Sequence, residues 1–393
     1  MSERVRVVIV GAGPQGLTAA TYLVAAGLDP SDLTVVDPGG AWLHRWRTRF
    51  AQLGIEHLRS PSVHHPDPDP YALTGFARDL RRTDELVGRY GLPGTRLFDD
   101  FCDHVIADRG LGGVVRTDAV VDVDASGTVT LAGGERIVAQ HVVWATDPAV
   151  AADVPEGATP SARAVSSAVR WEQVDLARHV PTVAVVGGGL TAAHLVDRAL
   201  DAGSHVEWVT RRPVEARDFD TEPGWLGPKE MQAFVAVDDP EERLARVLAA
   251  RGGGTVPAWM LRRLRRAEQA GRLCRRVGRV EVQDAGGATP AVRVDGTAVP
   301  VDQVWLAIGD RPCVSAAPPL ARLCEASGVG LVGGRPLLDP SLRVAGGAVQ
   351  VLGRLAQLRL GPTAGNLAGA RRGAELVVAA VAGVDAMYAL VDA

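Results

Sequence analysis

Three glycines near the start of the chain, Gly11, Gly13 and Gly16, stand in G-x-G-x-x-G spacing. Glycines so placed serve phosphate chemistry. The first permits a tight turn, the second lets backbone N–H groups approach a diphosphate, and the third lets a helix lie close on a strand. The helix N-terminus that follows presents partial positive charge to the anion. Asp37, about twenty residues beyond the last glycine, is placed to accept hydrogen bonds from a ribose diol. The elements that must position these residues are legible around them. Val5-Arg6-Val7-Val8-Ile9-Val10 is an apolar, β-branched run suited to a strand buried in a parallel sheet. Residues 17–26 are helix-forming, and 33–36 form a second apolar run ending on Asp37. The unit predicts dinucleotide binding; the plainer alternative is a glycine-rich turn in an ordinary α/β domain.

The same arrangement recurs later. An apolar strand is expected at 182–186, then Gly187-Gly188-Gly189-Leu190-Thr191-Ala192 in G-x-G-x-x-A spacing, a helix over 193–202 and a strand at 206–209. No acid ends that second strand; Arg211 and Arg212 follow it instead. An acid there would repel a 2′-phosphate and an arginine accommodates it, so the second unit is expected to take NADPH. Solvated surface charge is the alternative role for the two arginines.

Composition narrows the remaining classes. The chain has 393 residues, room for two or three domains. Its 47% hydrophobic and 22% charged residues suit a soluble enzyme, and a net charge of -4 points to neither nucleic acid nor an anionic membrane surface. Cys102, Cys274, Cys313 and Cys324 form no C-x-x-C pair, so neither a redox dithiol nor a cysteine-based zinc site is expected. Scattered cysteines fit a reducing cytoplasm. The chain enters a strand at once, which predicts no signal peptide, and no apolar run has the length of a membrane span. Lys229 is the only lysine, and nothing around it suggests Schiff-base chemistry.

Prolines keep the stretch 58–70 out of helix, and it reads as an extended loop over the sheet. Helices are expected over 73–90, 97–109, 241–250, 259–271 and 368–382, and return strands at 141–146 and 304–310. His64 and His65 are adjacent on the extended loop and point to opposite sides, so one is placed to face a cofactor. No acid or cysteine cluster accompanies them, and no metal is expected.

Two dinucleotide units, GAGPQG with Asp37 and GGGLTA with Arg211-Arg212-Pro213, describe an α/β protein of two Rossmann-like domains, the second inserted into the first. Together with GGAW ending at Trp42, the return strands WATD and LAIGD, and RLGPTAGNLAGARR near the end, they give the chain its resemblance. It resembles class B flavin-dependent monooxygenases, especially the lysine/ornithine N-hydroxylase-like branch, over nearly its whole length. The resemblance implies an FAD-binding domain at 1–150, a linker at 151–180, an NADPH-binding domain at 181–311 and the rest of the FAD domain at 312–393. It implies that Gly11, Gly13, Pro14, Gly16 and Asp37 hold FAD, with Trp42 near the flavin. Ala145 and Thr146 would lie near the nucleotide or domain joint, and Leu360 and Thr363 near the pyrimidine edge. Gly187, Gly189, Ala192, Arg211 and Arg212 would hold NADPH.

The implied reaction passes a hydride from NADPH to FAD, whose reduced form adds dioxygen as a C4a-hydroperoxide and oxygenates a nucleophilic atom, an amine nitrogen being favoured. No protein nucleophile is required, and no catalytic residue is singled out. Trp46, Arg45, Arg59 and one of the histidines, His65, are candidates for the substrate cleft, arginine suiting a carboxylate-bearing small molecule; packing and surface ion pairs are the alternative. The chain departs from the family at two positions. Asp147 replaces the glycine that ends the return strand, and Ser166 stands where a histidine is expected. The rival readings are an FAD-dependent NADPH reductase without oxygen transfer and a flavin-binding protein without turnover.

Overall fold

In the computed structural model, residues 3–151, 165–167, 175–283 and 291–383 are described. Most of the expected linker, 152–164 and 168–174, lies outside them. The first sheet gathers β1 (Glu3–Val10), β2 (Leu33–Val36), β3 (Val115–Arg116), a hairpin of β4 (Val120–Val123) and β5 (Thr128–Leu131), and β6 (Arg136–Trp144), in the order β3-β2-β1-β6-β5-β4. Strand β1 runs parallel to β2, with Val7 opposite Leu33, and to β6, with Val8 opposite Val142. Val7, Val8 and Ile9 are fully buried. A parallel strand covered on both faces must be continuously apolar, which is how this run reads in sequence.

The second sheet is built from β7 (Val165–Ser167), β8 (Thr182–Val186), β9 (His205–Thr210) and β10 (Leu273–Val277). A meander of β11 (Val280–Gln283), β12 (Ala291–Val294) and β13 (Thr297–Pro300) precedes its last strand, β14 (Gln303–Leu306). The order is β7-β14-β8-β9-β10, all parallel. Strand β7 falls inside the stretch 151–180 that the sequence assigns to a linker, and carries Ser166 opposite Trp305.

The chain then re-enters the first sheet. Strand β15 (Val349–Val351) pairs in parallel with the second half of β6, Val349 opposite Val142, while the first half of β6 pairs antiparallel with β5. One domain is therefore inserted into the other. The two units repeat even in their turns. Gly11 N donates to Val36 O and Gly187 N to Val209 O, both at 2.9 Å; Ala145 N donates to Val10 O at 2.9 Å and Ala307 N to Val186 O at 2.8 Å.

Six helices matter for the site: α1 (Pro14–Ala25), α2 (His44–Leu53), α3 (Thr95–Asp108), α4 (Leu190–Asp201), α5 (Ala258–Gln269) and α6 (Leu367–Ala382). Helix α6 packs along α1 behind the first glycine loop, and α4 and α5 share the core under the second sheet. The helix expected over 73–90 is a single short one, Ala72–Asp79. Arg81 adopts φ +57°, a conformation that ends a right-handed helix, and 83–93 fold into a 3₁₀ turn and two short paired strands. The stretch 58–70 contains neither helix nor regular strand, as its prolines require.

Arginines close the boundary between the two units. Arg59, on the proline-marked loop, donates to Asp218 O, Arg217 O, Phe219 O and Thr255 O, to Thr255 Oγ1, and to Asp220 Oδ1 at 2.6 Å. Arg243 reaches Leu358 O and Arg251 reaches Pro362 O, each at 3.1 Å, and Arg372 reaches Trp225 O at 3.1 Å. Carbonyls at an irregular boundary lack ladder partners, and a planar five-donor guanidinium satisfies several at once. Removing such a donor leaves buried acceptors unpaired. Arg59→Ala is expected to lower unfolding stability by about 3–5 kcal/mol, read as a fall in the urea midpoint; a shift under about 0.5 kcal/mol, the range of an ordinary surface substitution, would show that this hub holds nothing.

Candidate functional site

Strand β1 ends in the first glycine loop, and the sequence dictates the loop's shape atom by atom. Gly11 adopts φ +108°, and a Cβ there would lie 2.9 Å from Thr146 Cγ2. A Cβ on Gly16 would come within 2.0 Å of Gly11 O, so α1 lies on the loop at a distance only glycine allows. A Cβ on Gly13 would meet nothing within 4 Å: this glycine, the N-cap of α1, faces open space. Asp37 Oδ2 accepts from Ala12 N at 2.8 Å and Oδ1 from Gly39 N at 2.7 Å. Each oxygen keeps a lone pair for a further donor. Gln15 ties α1 to the start of α6, its Nε2 donating to Ala364 O at 3.1 Å and Asn366 O at 3.3 Å, while its Oε1 is buried without a partner. An open glycine cradle, a carboxylate with spare acceptor capacity and an orphaned amide oxygen fit the diphosphate and ribose of FAD.

This loop forms one wall of a cleft of about 490 Å³ between the two units. Gly11, Gly13, Pro14, Asp37, Ala145 and Thr146 line it from the first unit, as do Trp46 and Phe50 of α2. Phe219, Asp220, Thr221 and Asp310 line it from the inserted one. Trp46 stacks on Phe50 with centroids 4.1 Å apart, giving the cleft an aromatic side.

At the joint, both return strands lead into an acid, and both acids hold one arginine. Arg354 Nε lies 3.0 and 2.8 Å from the two oxygens of Asp147, Nη2 lies 2.7 Å from Asp147 Oδ2, and Nη1 lies 2.5 Å from Asp310 Oδ1. Burial alone would lower the pKa of this guanidinium; the Asp310 and Asp147 carboxylates outweigh burial and raise it. Gly365 makes room for the side chain, since a Cβ there would lie 2.4 Å from Arg354 Cγ. Asp147, the departure from the family's glycine, is thus one half of a carboxylate pair, with Arg354 as its compensation. Sequence reasoning missed Arg354; the acid standing in a glycine's place was the signal that a cation faced it.

Several expected site residues lie away from the cleft wall. Trp42 is buried in the core and donates its indole N–H to Leu111 O at 2.9 Å. Leu360 and Thr363 are fully buried, the Thr363 hydroxyl accepting from Arg372 at 3.1 Å. Residues 365–367, just beyond them, line the cleft instead. His65 is fully buried edge-on to Phe101, 5.0 Å between centroids, with Nε2 3.3 Å from Pro70 O. Arg59 does line the cleft, with its guanidinium committed to the inserted unit as described above. The loop that carries both residues is anchored by them, His65 packed on Phe101 and the Arg59 guanidinium bonded to the inserted unit. No group of three metal-ligating side chains occurs among the described residues.

The second loop repeats the first in outline. Gly187 adopts φ +145°, and a Cβ there would lie 2.2 Å from Ala307 O. Ala192 is buried at the helix–strand contact, and Arg211 and Arg212 are exposed just past β9. Trp208 Nε1 donates to Gly187 O at 2.7 Å. Arg212 donates to Gly252 O.

Two glycine-loop units, one inserted into the other around a shared cleft, define a two-dinucleotide oxidoreductase. The family model of pyridine nucleotide-disulphide oxidoreductases matches residues 5–225, more than half of the chain. The chain belongs to this family, as a flavin- and pyridine-nucleotide-dependent oxidoreductase. No curated protein sequence matches it. Among solved structures it is similar to the ornithine N-hydroxylase of Kutzneria sp. 744, with a TM-score of 0.77 at 17% identity, covering 97% of this chain and 99% of the other. Ornithine hydroxylase of Pseudomonas aeruginosa gives 0.75 at 16% identity, covering 97% and 99%. The bacillithiol disulfide reductase of Bacillus cereus gives 0.63 at 16%, again covering 97% and 99%. At these identities the likeness is one of fold. No helix among the described residues is long and apolar enough to cross a membrane.

Burial leaves a pH signature. His64, His65 and His194 are each lowered from 6.5 to about 4, chiefly by desolvation and then by nearby arginines. A histidine whose folded pKa lies below its unfolded value binds fewer protons when folded, so its neutral burial is fully tolerated above 6.5 and loses stability as pH falls toward 4. The urea midpoint is expected to drop across that interval, and His65→Gln to flatten the drop; a midpoint independent of pH there would contradict the buried placement.

Proposed function

We propose that the chain is an FAD- and NADPH-dependent monooxygenase that transfers oxygen to a nucleophilic atom of a small molecule, an amine nitrogen being favoured. The observation that carries this reading is the cleft between the units: it joins the open first glycine loop to an aromatic wall, and no cysteine lines it. The alternative chemistry in this family, reduction of a disulfide through protein thiols, finds no support there. Cys102 and Cys324 are buried, burial raising Cys102 well above the usual thiol range and pushing Cys324 up to about 11, and none of the four cysteines is paired. The solved structures of like fold include hydroxylases of ornithine and a cadaverine monooxygenase, and an amine substrate for this chain rests on that likeness.

Bound FAD supplies two-electron chemistry and, with dioxygen as acceptor, oxygen transfer. The protein's own contribution is placement and exclusion of water. The α1 N-terminus and the amides around Gly13 take the diphosphate, Asp37 takes the ribose, and Trp46, Phe50 and Phe219 present a dry face to the substrate. Arg354, held between Asp147 and Asp310, fixes the joint between the two units. Arg211 and Arg212 favour the phosphorylated nicotinamide nucleotide.

The test is a stoichiometry. FAD-loaded protein supplied with NADPH, air and a panel of primary aliphatic amines is expected to yield one hydroxylamine per NADPH consumed for at least one amine, with NADH used far less well. NADPH consumption giving only hydrogen peroxide with every amine would favour a reductase, and failure of anaerobic NADPH to bleach the flavin would favour a binding protein without turnover.

A further inference from the structure

The two glycine loops differ in what stands before their second glycine. A Cβ on Gly13 meets nothing within 4 Å, whereas one on Gly189 would meet the backbone of Gly254, its Cα 3.7 Å away. Gly254 lies so close that a Cβ on it would be 3.0 Å from Gly189 Cα and 3.2 Å from Gly189 N. Gly189 is the residue whose missing side chain should admit a diphosphate. The strap that fills the space is Gly252-Gly253-Gly254, three successive residues with φ +59°, +81° and +100°, which only glycine adopts freely.

Its ends are anchored across the domain boundary. Arg251 donates to Pro362 O at 3.1 Å on one side, and on the other Thr255 accepts from Arg59 at its carbonyl and, at 2.7 Å, at its hydroxyl. Gly252, where the strap begins, is held twice: its N–H donates to Leu248 O at 3.2 Å, and its carbonyl accepts from Arg212. A Cβ on Gly253 would lie 2.5 Å from Arg212 Nη2. Arg212 is also one of the two cations just past β9, where a 2′-phosphate would be received.

We infer that Gly252–Gly254 is a ligand-displaced strap over the nicotinamide nucleotide loop, released when the guanidinium of Arg212 leaves Gly252 O for a 2′-phosphate. The exchange is favourable in kind, since a guanidinium binds a phosphate dianion more strongly than a neutral carbonyl. Lifting the strap frees Gly189 and the α4 N-terminus for the diphosphate. NAD(H), lacking the 2′-phosphate, has no means of drawing Arg212 away. Discrimination therefore comes from the latch as well as from direct attraction, and part of the binding free energy opens the strap. The inference rests on the NADPH-dependent reading above and deepens it.

The experiment uses the full FAD-loaded chain with NADP+ and NAD+ as probes, read by titration calorimetry and by amide hydrogen exchange of the peptide spanning 252–254. Saturating NADP+ is expected to speed exchange in that peptide. Arg212→Ala is expected to bind NADP+ more weakly but NAD+ about threefold or more tightly, because the latch is gone. Gly253→Ala, which crowds the pin without removing the cation, should tighten both nucleotides. Binding of NADP+ with unchanged or slower exchange at 252–254, or unchanged or weaker NAD+ binding in both variants, overturns the strap while leaving the nucleotide reading intact. Absence of any NADP+ binding to the parent or to either variant overturns both.

Discussion

The cleft between the two units depends on one ion cluster, the guanidinium of Arg354 held by carboxylates from the two halves of the molecule. Asp147 follows β6 of the outer sheet and Asp310 follows β14 of the inserted one. Each return strand delivers its acid to the same point because the two units repeat each other's turns. A half-buried guanidinium uses both partners: one carboxylate would balance its charge but leave part of its N–H fork unpaired at the joint. The cluster therefore specifies the relative placement of the two units, and placement decides whether residues from both can line one cleft. Arg59, Arg243, Arg251 and Arg372 extend the same logic outward by satisfying carbonyls that no sheet ladder reaches.

The glycine loops show how one local design can present two different faces. In both, the first glycine turns beside the return strand and the loop N–H reaches the second strand's carbonyl. The outer loop opens into the cleft; the inner one lies under a second run of glycines. Close backbone approach at Gly189 is possible because Gly254 lacks a side chain, a Cβ on it falling 3.0 Å from Gly189 Cα. The strap's anchors, Arg251 and Arg59, both reach the cleft wall or the residues behind it.

The sequence announced what is local. Period, apolar runs and glycine spacing located both βαβ units, because a buried parallel strand and a diphosphate turn leave little freedom in residue type. Domain insertion was legible for the same reason, the pattern being repeated within itself. What escaped was long-range pairing. Nothing in the identity of Arg354 announces that its partners stand at 147 and 310, or that Arg59 donates to a run of carbonyls in the inserted unit. His65 was read from the alternation of an extended segment, but the proline-driven turns of 58–70 break that alternation and bury the ring against Phe101. Trp42, Leu360 and Thr363, expected near the flavin, sit in the core. The helix over 73–90 failed at Arg81, where a left-handed residue outweighed favourable composition.

The account stands on the first glycine loop holding a flavin in the cleft, and the most direct measurement is the flavin content of the folded chain. Protein loaded with FAD and freed of excess by gel filtration should carry one FAD per chain by absorbance. Gly13→Glu, which projects a carboxylate into the space before the second glycine, should keep its circular dichroism and carry none. A colourless parent, or a folded variant that retains its flavin, would contradict the account.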